Sequence, residues 1–315
     1  MLTSALPRTD VRNFGIRPVT PAEVHKADAS EQLLTGWRPT DADRFTVSAR
    51  WGTGHRFYGG THGHRDPLLL IEGVRQAIPL LCHSAYGVPF GFRQAWEDLR
   101  FSFEPSALAM AGASGEAEFD VVCSDVVRRG PRVAGMTMTV RASLDGVPAA
   151  LVRTRFSIQP PAVYRRLRGP YADLAYAHAR ALPPGPPVPA SLVGREEPAD
   201  VVLSATSGSG GWYLRPDLAH PVLFDHPVDH APGMLLLEAA RQAALAGSSQ
   251  PATVLGMKTV FTRYAEFDTP CLVSATAATP DRGSPTGTRV SMVTVEQNGR
   301  PLFDAEVTTL AVRGR

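Results

Sequence analysis

The spacing of hydrophobic positions changes along the chain in the same order twice. Residues 68–78 and 234–243 are apolar on nearly every side of a helix, which is typical of a buried helix. After each of these segments, apolar and polar residues alternate, which is typical of half-buried strands. The pattern predicts two successive units, each with one buried helix and several antiparallel strands.

The residues ahead of these segments mark where the helices begin. Asp66 can cap a helix N-terminus, and Pro67 then occupies the first helical position, where a missing N–H costs nothing. Pro232 plays the same part in the second unit. We therefore predict helices near 67–84 and 232–247.

Strands are predicted on both sides of each helix. A short strand precedes each one, near Arg44–Ala49 and Val201–Ala205, and longer alternating runs follow. Asp145-Gly146 and Asn298-Gly299 separate alternating runs and are typical of two-residue hairpin turns. A sheet wrapped around one long buried helix satisfies this order, so the predicted fold class is α+β.

An internal repeat relates the two units. HRDPLLLIEGVRQA at 64–77 aligns with HAPGMLLLEAARQA at 230–243, and the separation is 166 positions throughout. Four polar residues are identical in register, which indicates a duplicated domain. The pairs are His64 and His230, Glu72 and Glu238, Arg75 and Arg241, and Gln76 and Gln242.

The sequence between and around the repeats suggests the domain limits. LPPGPPVPASLVG at 182–194 is typical of an extended linker. The predicted organisation is an N-terminal segment at 1–30 that is loose in part, a first domain at 31–165, a Pro-rich linker at 166–198 and a second domain at 199–315.

Composition and charge exclude several classes of protein. Hydrophobic residues make up 43% and charged residues 20%, which suits an ordinary folded core. The chain has no apolar run of about 18 residues and no apolar signal-peptide core, so we expect a cytoplasmic protein that does not contact the membrane. A net charge of +2 disfavours nucleic-acid binding. The three cysteines are too widely spaced for a disulfide scaffold or a zinc knuckle.

The repeated polar residues lie on one face of each predicted helix. Glu72, Arg75 and Gln76 stand at i, i+3 and i+4, as do their counterparts. A charge on an apolar helix is costly unless it is paired. One interpretation is a buried Glu–Arg pair that holds the two helices together. The other is a polar site at the helix seam, with Glu as base and Arg as anion binder, and each copy can differ in this respect.

Histidines are concentrated ahead of both helices, where most would serve as hydrogen-bonded turn residues. His64 and His230 are stronger functional candidates, because they recur in register just before a helix N-terminus, whose free N–H groups can polarise a carbonyl. A metal site is an alternative. Its candidate ligand sets are His62, His64 and Asp66, or His226, Asp229 and His230.

Several motifs in order resemble the A-factor biosynthesis (AfsA-type) family. They are VHKADASEQLLTGW, HRDPLLLIEGVRQA, His83 within LCHSAYGVPFG, AVYRRLRG, and HPVLFDHPVDHAPGMLLLEAARQAA preceded by Trp212, Leu214 and Arg215. The resemblance covers roughly 24–169 and 200–312. It implies a tandem hot-dog fold, similar to acyl-carrier dehydratases and thioesterases, in which each copy wraps a sheet around a long helix.

The resemblance also implies an activity. It is an acyltransferase that moves a β-ketoacyl group from an acyl carrier protein thioester to the hydroxyl of dihydroxyacetone phosphate, for γ-butyrolactone-type signalling molecules. The expected partners are the carrier protein, whose phosphopantetheine brings the acyl group, and dihydroxyacetone phosphate. No metal or cofactor is expected, and the protein is expected to be a monomer or homodimer.

Dehydratase relatives place a histidine 14 residues before the helix acid. Phe224 and Tyr58 occupy those positions here, so dehydration is disfavoured.

We predict that the reaction occurs at the second copy, because Pro232-Gly233 lets backbone approach a ligand closely. Buried Glu238 takes the acceptor proton, and Arg241 binds the phosphate through its fork geometry. The predicted catalytic residues are Glu238, His230 and Glu72. The predicted substrate-binding residues are Arg241, Arg75, Gln242, Gln76, Gly233, Met234 and His64.

Two other functions stay open at this point. A thioesterase of the same fold would use water, and an arginine facing the pocket distinguishes transfer from hydrolysis. A non-catalytic acyl-binding or regulatory protein would pair both helix glutamates fully with arginines and leave no cavity. The cluster of Arg165, Arg166 and Arg168 is either a docking patch for an acidic carrier protein or a solvated turn.

Overall fold

A computed structural model describes residues 15–60, 63–109, 115–208, 210–248, 250–282 and 284–312. Its helices are α1 (Pro67–Ser84), α2 (Pro105–Leu108), α3 (Pro161–Arg168), α4 (Leu174–Ala179) and α5 (Gly233–Ala246). Its strands are β1 (Arg17–Pro18), β2 (Leu34–Asp41), β3 (Arg44–Arg50), β4 (Arg93–Phe103), β5 (Glu116–Arg129), β6 (Arg132–Leu144), β7 (Val147–Gln159), β8 (Leu203–Ala205), β9 (Trp212–Leu214), β10 (Ala252–Phe261), β11 (Cys271–Ala278), β12 (Thr288–Gln297) and β13 (Arg300–Ala311).

The strands form one continuous antiparallel sheet whose two halves repeat each other in reverse order. The order is β1-β2-β3-β5-β6-β7-β4 in the first copy, continued by β10-β13-β12-β11-β9-β8 in the second. The copies join where β4 pairs with β10, with Ser102 opposite Gly256 and Asp98 opposite Val260. A Cβ at Gly256 would lie 2.6 Å from the Phe101 carbonyl oxygen, so the join requires glycine there.

The two predicted central helices are confirmed as α1 and α5, and nearly all their residues are buried. The Asp66 side chain caps α1 by accepting from the Leu68 amide at 2.8 Å. The predicted hairpins are also present, with positive φ at both residues of Asp145-Gly146 and of Asn298-Gly299, as two-residue turns of this class require. The α+β tandem hot-dog fold is therefore confirmed.

An equivalent segment precedes each copy and is tied to its central helix by a glutamine. Gln76 of α1 accepts from the Leu33 amide and donates to the Glu31 carbonyl. Gln242 of α5 makes the same two bonds to Val202 and Asp200. Residues 21–33 thus correspond to residues 190–202. The first range lies partly in the segment predicted to be loose, and the second lies partly in the predicted linker. The exact domain limits remain predictions.

None of the helices in the described ranges has both the length and the hydrophobicity that a membrane span requires.

Candidate active site

A cavity of about 440 Å³ lies at the seam between the two copies. Helix α1 and the start of β4 form one side of it, and residues 222–236 of the second copy form much of the other. The site is therefore composite, because the helix of one copy faces the loop that precedes the helix of the other.

Glu72 of α1 is held in the wall of this cavity by a set of cationic and amide donors. Its carboxylate accepts from Arg75 Nε at 2.7 Å, from Arg75 Nη2 at 2.8 Å and from Gln76 Nε2 at 3.0 Å. Lys26 Nζ lies 3.0 Å away. Burial alone would raise the pKa of Glu72, but the charges of Arg75 and Lys26 and these hydrogen bonds outweigh it and hold the pKa well below its usual range.

Glu238 of α5 occupies the corresponding place in the second copy but is completely sealed, with 0% of its surface exposed. Its carboxylate accepts from Arg195 Nε at 3.0 Å, from Gln242 Nε2 at 2.5 Å and from Arg241 Nη2. Arg241 also donates from Nη1 to Asp66 Oδ2 at 2.5 Å. Asp66 thus caps α1 and holds α5 with the same carboxylate.

One substitution between the copies explains why Arg75 is more exposed than Arg241. In the repeat register, Pro232 stands where the first copy has Asp66. Arg75 therefore lacks the acidic partner that Arg241 has, and among the described residues Arg75 pairs with one carboxylate only, that of Glu72. The Arg75 side chain is 24% exposed and that of Arg241 10%. The open guanidinium lines the cavity.

Two histidine–aspartate pairs also line the cavity. His230 Nδ1 lies 2.6 Å from Asp229 Oδ1, and His226 Nδ1 lies 2.8 Å from Asp225 Oδ1. A carboxylate can only accept, so Nδ1 carries the proton in each neutral ring and Nε2 keeps its lone pair. Tyr164 of α3 donates to both oxygens of Asp229, at 2.8 and 2.7 Å.

The pKa of Asp229 reflects this arrangement. Burial favours a higher value, but the hydrogen bond and the charge of His230, together with Tyr164, lower the pKa to about 2. Asp229 therefore stays ionised and fixes the orientation of the His230 ring. In the repeat register, the first copy has only Gly63 and His64 at these two positions.

The start of α5 opens onto the same cavity, as predicted for Gly233 and Met234. A Cβ at Gly233 would lie 2.6 Å from Cε3 of Trp96, so glycine is needed for Trp96 of β4 to pack there. Within the described ranges, three buried polar atoms of cavity-lining residues have no hydrogen-bond partner: Trp96 Nε1, Gln94 Nε2 and Gln159 Oε1.

The cavity brings together some of the predicted residues and leaves others apart. Glu72, Arg75, His230, Gly233 and Met234 line it. Gln76 and Gln242 instead hold the segments ahead of each copy. His64 is not among the described residues lining the cavity, and its backbone pairs with Ala109. Glu238 is sealed, and Arg241 lines a second cavity of about 390 Å³.

Other predicted features have structural roles. His220 Nδ1 accepts from the Val222 and Leu223 amides, which confirms it as a turn residue. Arg168 is buried against Glu266 and the Asp229 carbonyl, so it is no part of a solvated patch. No three His, Cys, Asp or Glu side chains of the described residues are placed to hold a metal ion. His62, named in one candidate ligand set, lies outside the described residues.

Sequence reasoning missed Lys26 and Arg195. They occupy equivalent places before the two copies, and each contacts the helix glutamate of its own copy. One signal could have indicated Lys26, since it is one of two lysines among 32 basic residues. A buried lysine is unusual in a chain whose other basic residues are nearly all arginine.

These observations define the class: a double hot-dog protein with an open polar cavity at the seam between its copies. Known structures of this architecture include a 12:0-ACP thioesterase from Umbellularia californica, with a TM-score of 0.50, 12% identity, and coverage of 85% of this chain and 98% of that one. A putative oleoyl thioesterase from Lactobacillus plantarum has a TM-score of 0.51 and 10% identity and covers 86% and 97%. At such identities the likeness shows the fold alone.

Sequence similarity is more specific. The model of the A-factor biosynthesis hotdog domain matches residues 9–159 and 177–313, and the chain belongs to this AfsA family. A 2-oxo-3-(phosphooxy)propyl 3-oxoalkanoate synthase from Streptomyces virginiae is 42% identical over 287 residues, which cover 91% of this chain and 95% of the relative. A protein of the same name from Streptomyces coelicolor is 40% identical over 299 residues, covering 93% and 91%.

Proposed function

We propose that this protein is an acyltransferase that moves a β-ketoacyl group from a carrier-protein thioester to the hydroxyl of dihydroxyacetone phosphate. The observation that carries the proposal is the open guanidinium of Arg75 in the same cavity as the His230–Asp229 pair. The relatives named 2-oxo-3-(phosphooxy)propyl 3-oxoalkanoate synthase make the ester that this transfer would produce.

His230 is the residue best suited to be the general base. Asp229 holds its Nδ1 proton, so Nε2 can accept the proton of the acceptor hydroxyl. The resulting alkoxide attacks the thioester carbonyl, and the C–S bond then breaks. The departing thiolate takes the proton back from the imidazolium, which leaves the enzyme unchanged.

Glu72 is poorly suited to the role of base. Its pKa lies well below the usual range because Arg75 and Lys26 surround it, and a strongly paired carboxylate is a weak proton acceptor. We assign it the task of positioning Arg75 and Lys26. This assignment moves the phosphate-binding arginine from the second helix, which the sequence favoured, to the first.

Arg75 would hold the acceptor phosphate with the part of its guanidinium that Glu72 does not use. Arginine suits phosphate because its fork presents parallel donors. Free N–H groups at the start of α5, near Gly233 and Met234, would stabilise the oxyanion that forms on the thioester carbonyl. The mechanism needs only side chains and backbone of this chain and the phosphopantetheine of the donor.

The cavity also discriminates between this function and the alternatives. Arg75, Arg93 and Arg263 line it together with Lys26, whereas a thioesterase pocket is expected to be apolar. A non-catalytic protein was expected to have both glutamates paired and no cavity. Both glutamates are paired, but Glu72 lines an open cavity, so the second part of that expectation is not met.

The test is a product assay with the purified protein. A β-ketoacyl carrier-protein thioester is incubated with and without dihydroxyacetone phosphate, and products are identified by mass spectrometry. Transfer requires a phosphorylated ester that appears only with the acceptor. Free β-keto acid formed at the same rate in both reactions would establish hydrolysis instead.

A further inference from the structure

Helix α3 lies against the cavity and exposes its outer face. Its inner face is fixed by Tyr164, which lines the cavity, and by buried Arg168. The outer face carries Val163 and Leu167, which are 40% and 64% exposed. Exposed apolar side chains do not stabilise the fold, so this face is available for another molecule.

The same face and the adjoining cavity rim are positively charged. Arg165 and Arg166 of α3 are exposed. Arg93 is also exposed, lines the cavity and places its guanidinium 5.5 Å from the centre of the Tyr164 ring. No ion pair joins these three arginines to an acidic residue of the described ranges. The exposed acid in the cavity wall, Glu97, is neutralised by Arg155 at 3.0 Å.

We call Val163, Arg165, Arg166, Leu167 and Arg93 the α3 surface. It combines two apolar side chains with three cations that form no ion pair within the described ranges, and it lies beside the opening of a cavity. A partner that fits must present acidic side chains around a small apolar contact and must deliver a long flexible substituent into the cavity.

We propose that the α3 surface docks the acidic carrier protein that delivers the β-ketoacyl thioester. The inference rests on the proposed function and specifies its donor. The arginines attract the carrier and orient it, Val163 and Leu167 contact its apolar surface, and the phosphopantetheine arm passes Arg93 into the seam cavity. Exposed charges of this kind act mainly on the rate of association.

The experiment separates docking from catalysis by changing the donor. The double variant Arg165→Glu/Arg166→Glu is assayed with β-ketooctanoyl acyl carrier protein and, separately, with the N-acetylcysteamine thioester of the same acyl group. The kcat/KM for the carrier-protein donor should fall about 10- to 100-fold, as expected for lost electrostatic attraction. The kcat/KM for the small thioester should stay within about twofold, because the chemical groups are untouched.

A matched control carries the same change in charge outside the α3 surface. Arg141→Glu/Arg282→Glu alters one exposed arginine on β6 and one between β11 and β12, and it should leave the kcat/KM for both donors unaffected. The docking proposal is overturned if the α3 variant lowers the kcat/KM for both donors equally, or if it lowers the kcat/KM for neither donor.

Binding of holo acyl carrier protein, measured by calorimetry, tests docking independently of turnover. Weakened binding by the α3 variant and not by the control supports the surface even if no ester forms, in which case only the proposed function fails. A different result would refute the carrier surface. If the wild type, the α3 variant and the control variant use β-ketooctanoyl-CoA with equal kcat/KM, and none of them binds the carrier measurably, then coenzyme A is the donor.

Discussion

The contrast between Arg75 and Arg241 gives the sharpest test of which copy is active. The two arginines occupy the same position in the repeat. Among the described residues, Arg241 pairs with the carboxylates of Asp66 and Glu238, and Arg75 pairs with that of Glu72 alone. Substitution of each by alanine should therefore have opposite consequences. Arg75→Ala should impair acceptor binding, and Arg241→Ala should impair folding.

The expected magnitudes follow from the surroundings of each guanidinium. Loss of a charged hydrogen-bonded contact to a ligand costs about 2–5 kcal/mol of binding free energy. Arg75 is partly exposed, so the cost of Arg75→Ala should lie near the lower end of this range. At about 1.4 kcal/mol per tenfold, the KM for dihydroxyacetone phosphate should rise about 30- to 150-fold. Removal of one member of a buried ion network destabilises by about 3–5 kcal/mol, so Arg241→Ala should lower Tm by roughly 5–15 °C.

The assay measures initial rates of ester formation with each substrate varied in turn, beside a thermal melt of each protein. Arg75→Ala should leave the KM for the acyl thioester nearly unchanged and should lower Tm less than Arg241→Ala does, because Lys26 and Gln76 still contact Glu72. If Arg241→Ala instead raises the acceptor KM selectively and Arg75→Ala lowers Tm more, the open site has been assigned to the wrong copy. Equal effects on both substrates in both variants would mean that neither arginine holds the phosphate.

Three further predictions concern the base, the helix start and pH. His230→Asn keeps a donor to Asp229 but removes the base, so kcat should fall roughly 10²- to 10⁴-fold with an unchanged melt; a kcat within about threefold of wild type would contradict the assignment. In Gly233→Ala the added Cβ collides with Trp96, so the free energy of unfolding in urea should fall by about 1–3 kcal/mol, and no loss would show that the ring moves freely. Burial, together with the charge of His83, lowers the pKa of His25 to about 4 from 6.5. Below about pH 6.5 the unfolded chain therefore binds a proton that the folded chain does not, and Tm should decline from pH 6.5 to 4 more steeply in wild type than in His25→Asn.

Much of the fold could be predicted because it depends on local patterns. The 166-residue register identified the duplication, and Asp66-Pro67 located the start of α1. Hairpin turns at Asp145-Gly146 and Asn298-Gly299 followed from residues that tolerate positive φ. Each of these signals lies within a short stretch of chain, so one sequence is enough to find it.

The choice between the two helix sites could not be made from such patterns. It depends on a contact between copies, in which Asp66 ahead of the first helix closes the site on the second. The first copy stays open because Pro232 offers no such carboxylate. Alignment of the two repeats shows Asp66 opposite Pro232, but it does not show that Asp66 contacts Arg241 of the other copy. Lys26 was missed for the same reason, since it reaches Glu72 from 46 positions away in the chain.

The join between β4 and β10 has a consequence during protein synthesis. β4 is complete at residue 103, but its partner begins at residue 252. At about 5–20 residues per second, the ribosome needs roughly 7–30 s to make the intervening chain. Throughout that interval the nascent first copy presents the unpaired edge of β4, which is a template for aggregation, and only part of the seam cavity. Chaperones that bind nascent chains should therefore matter most for this protein before its second copy has emerged.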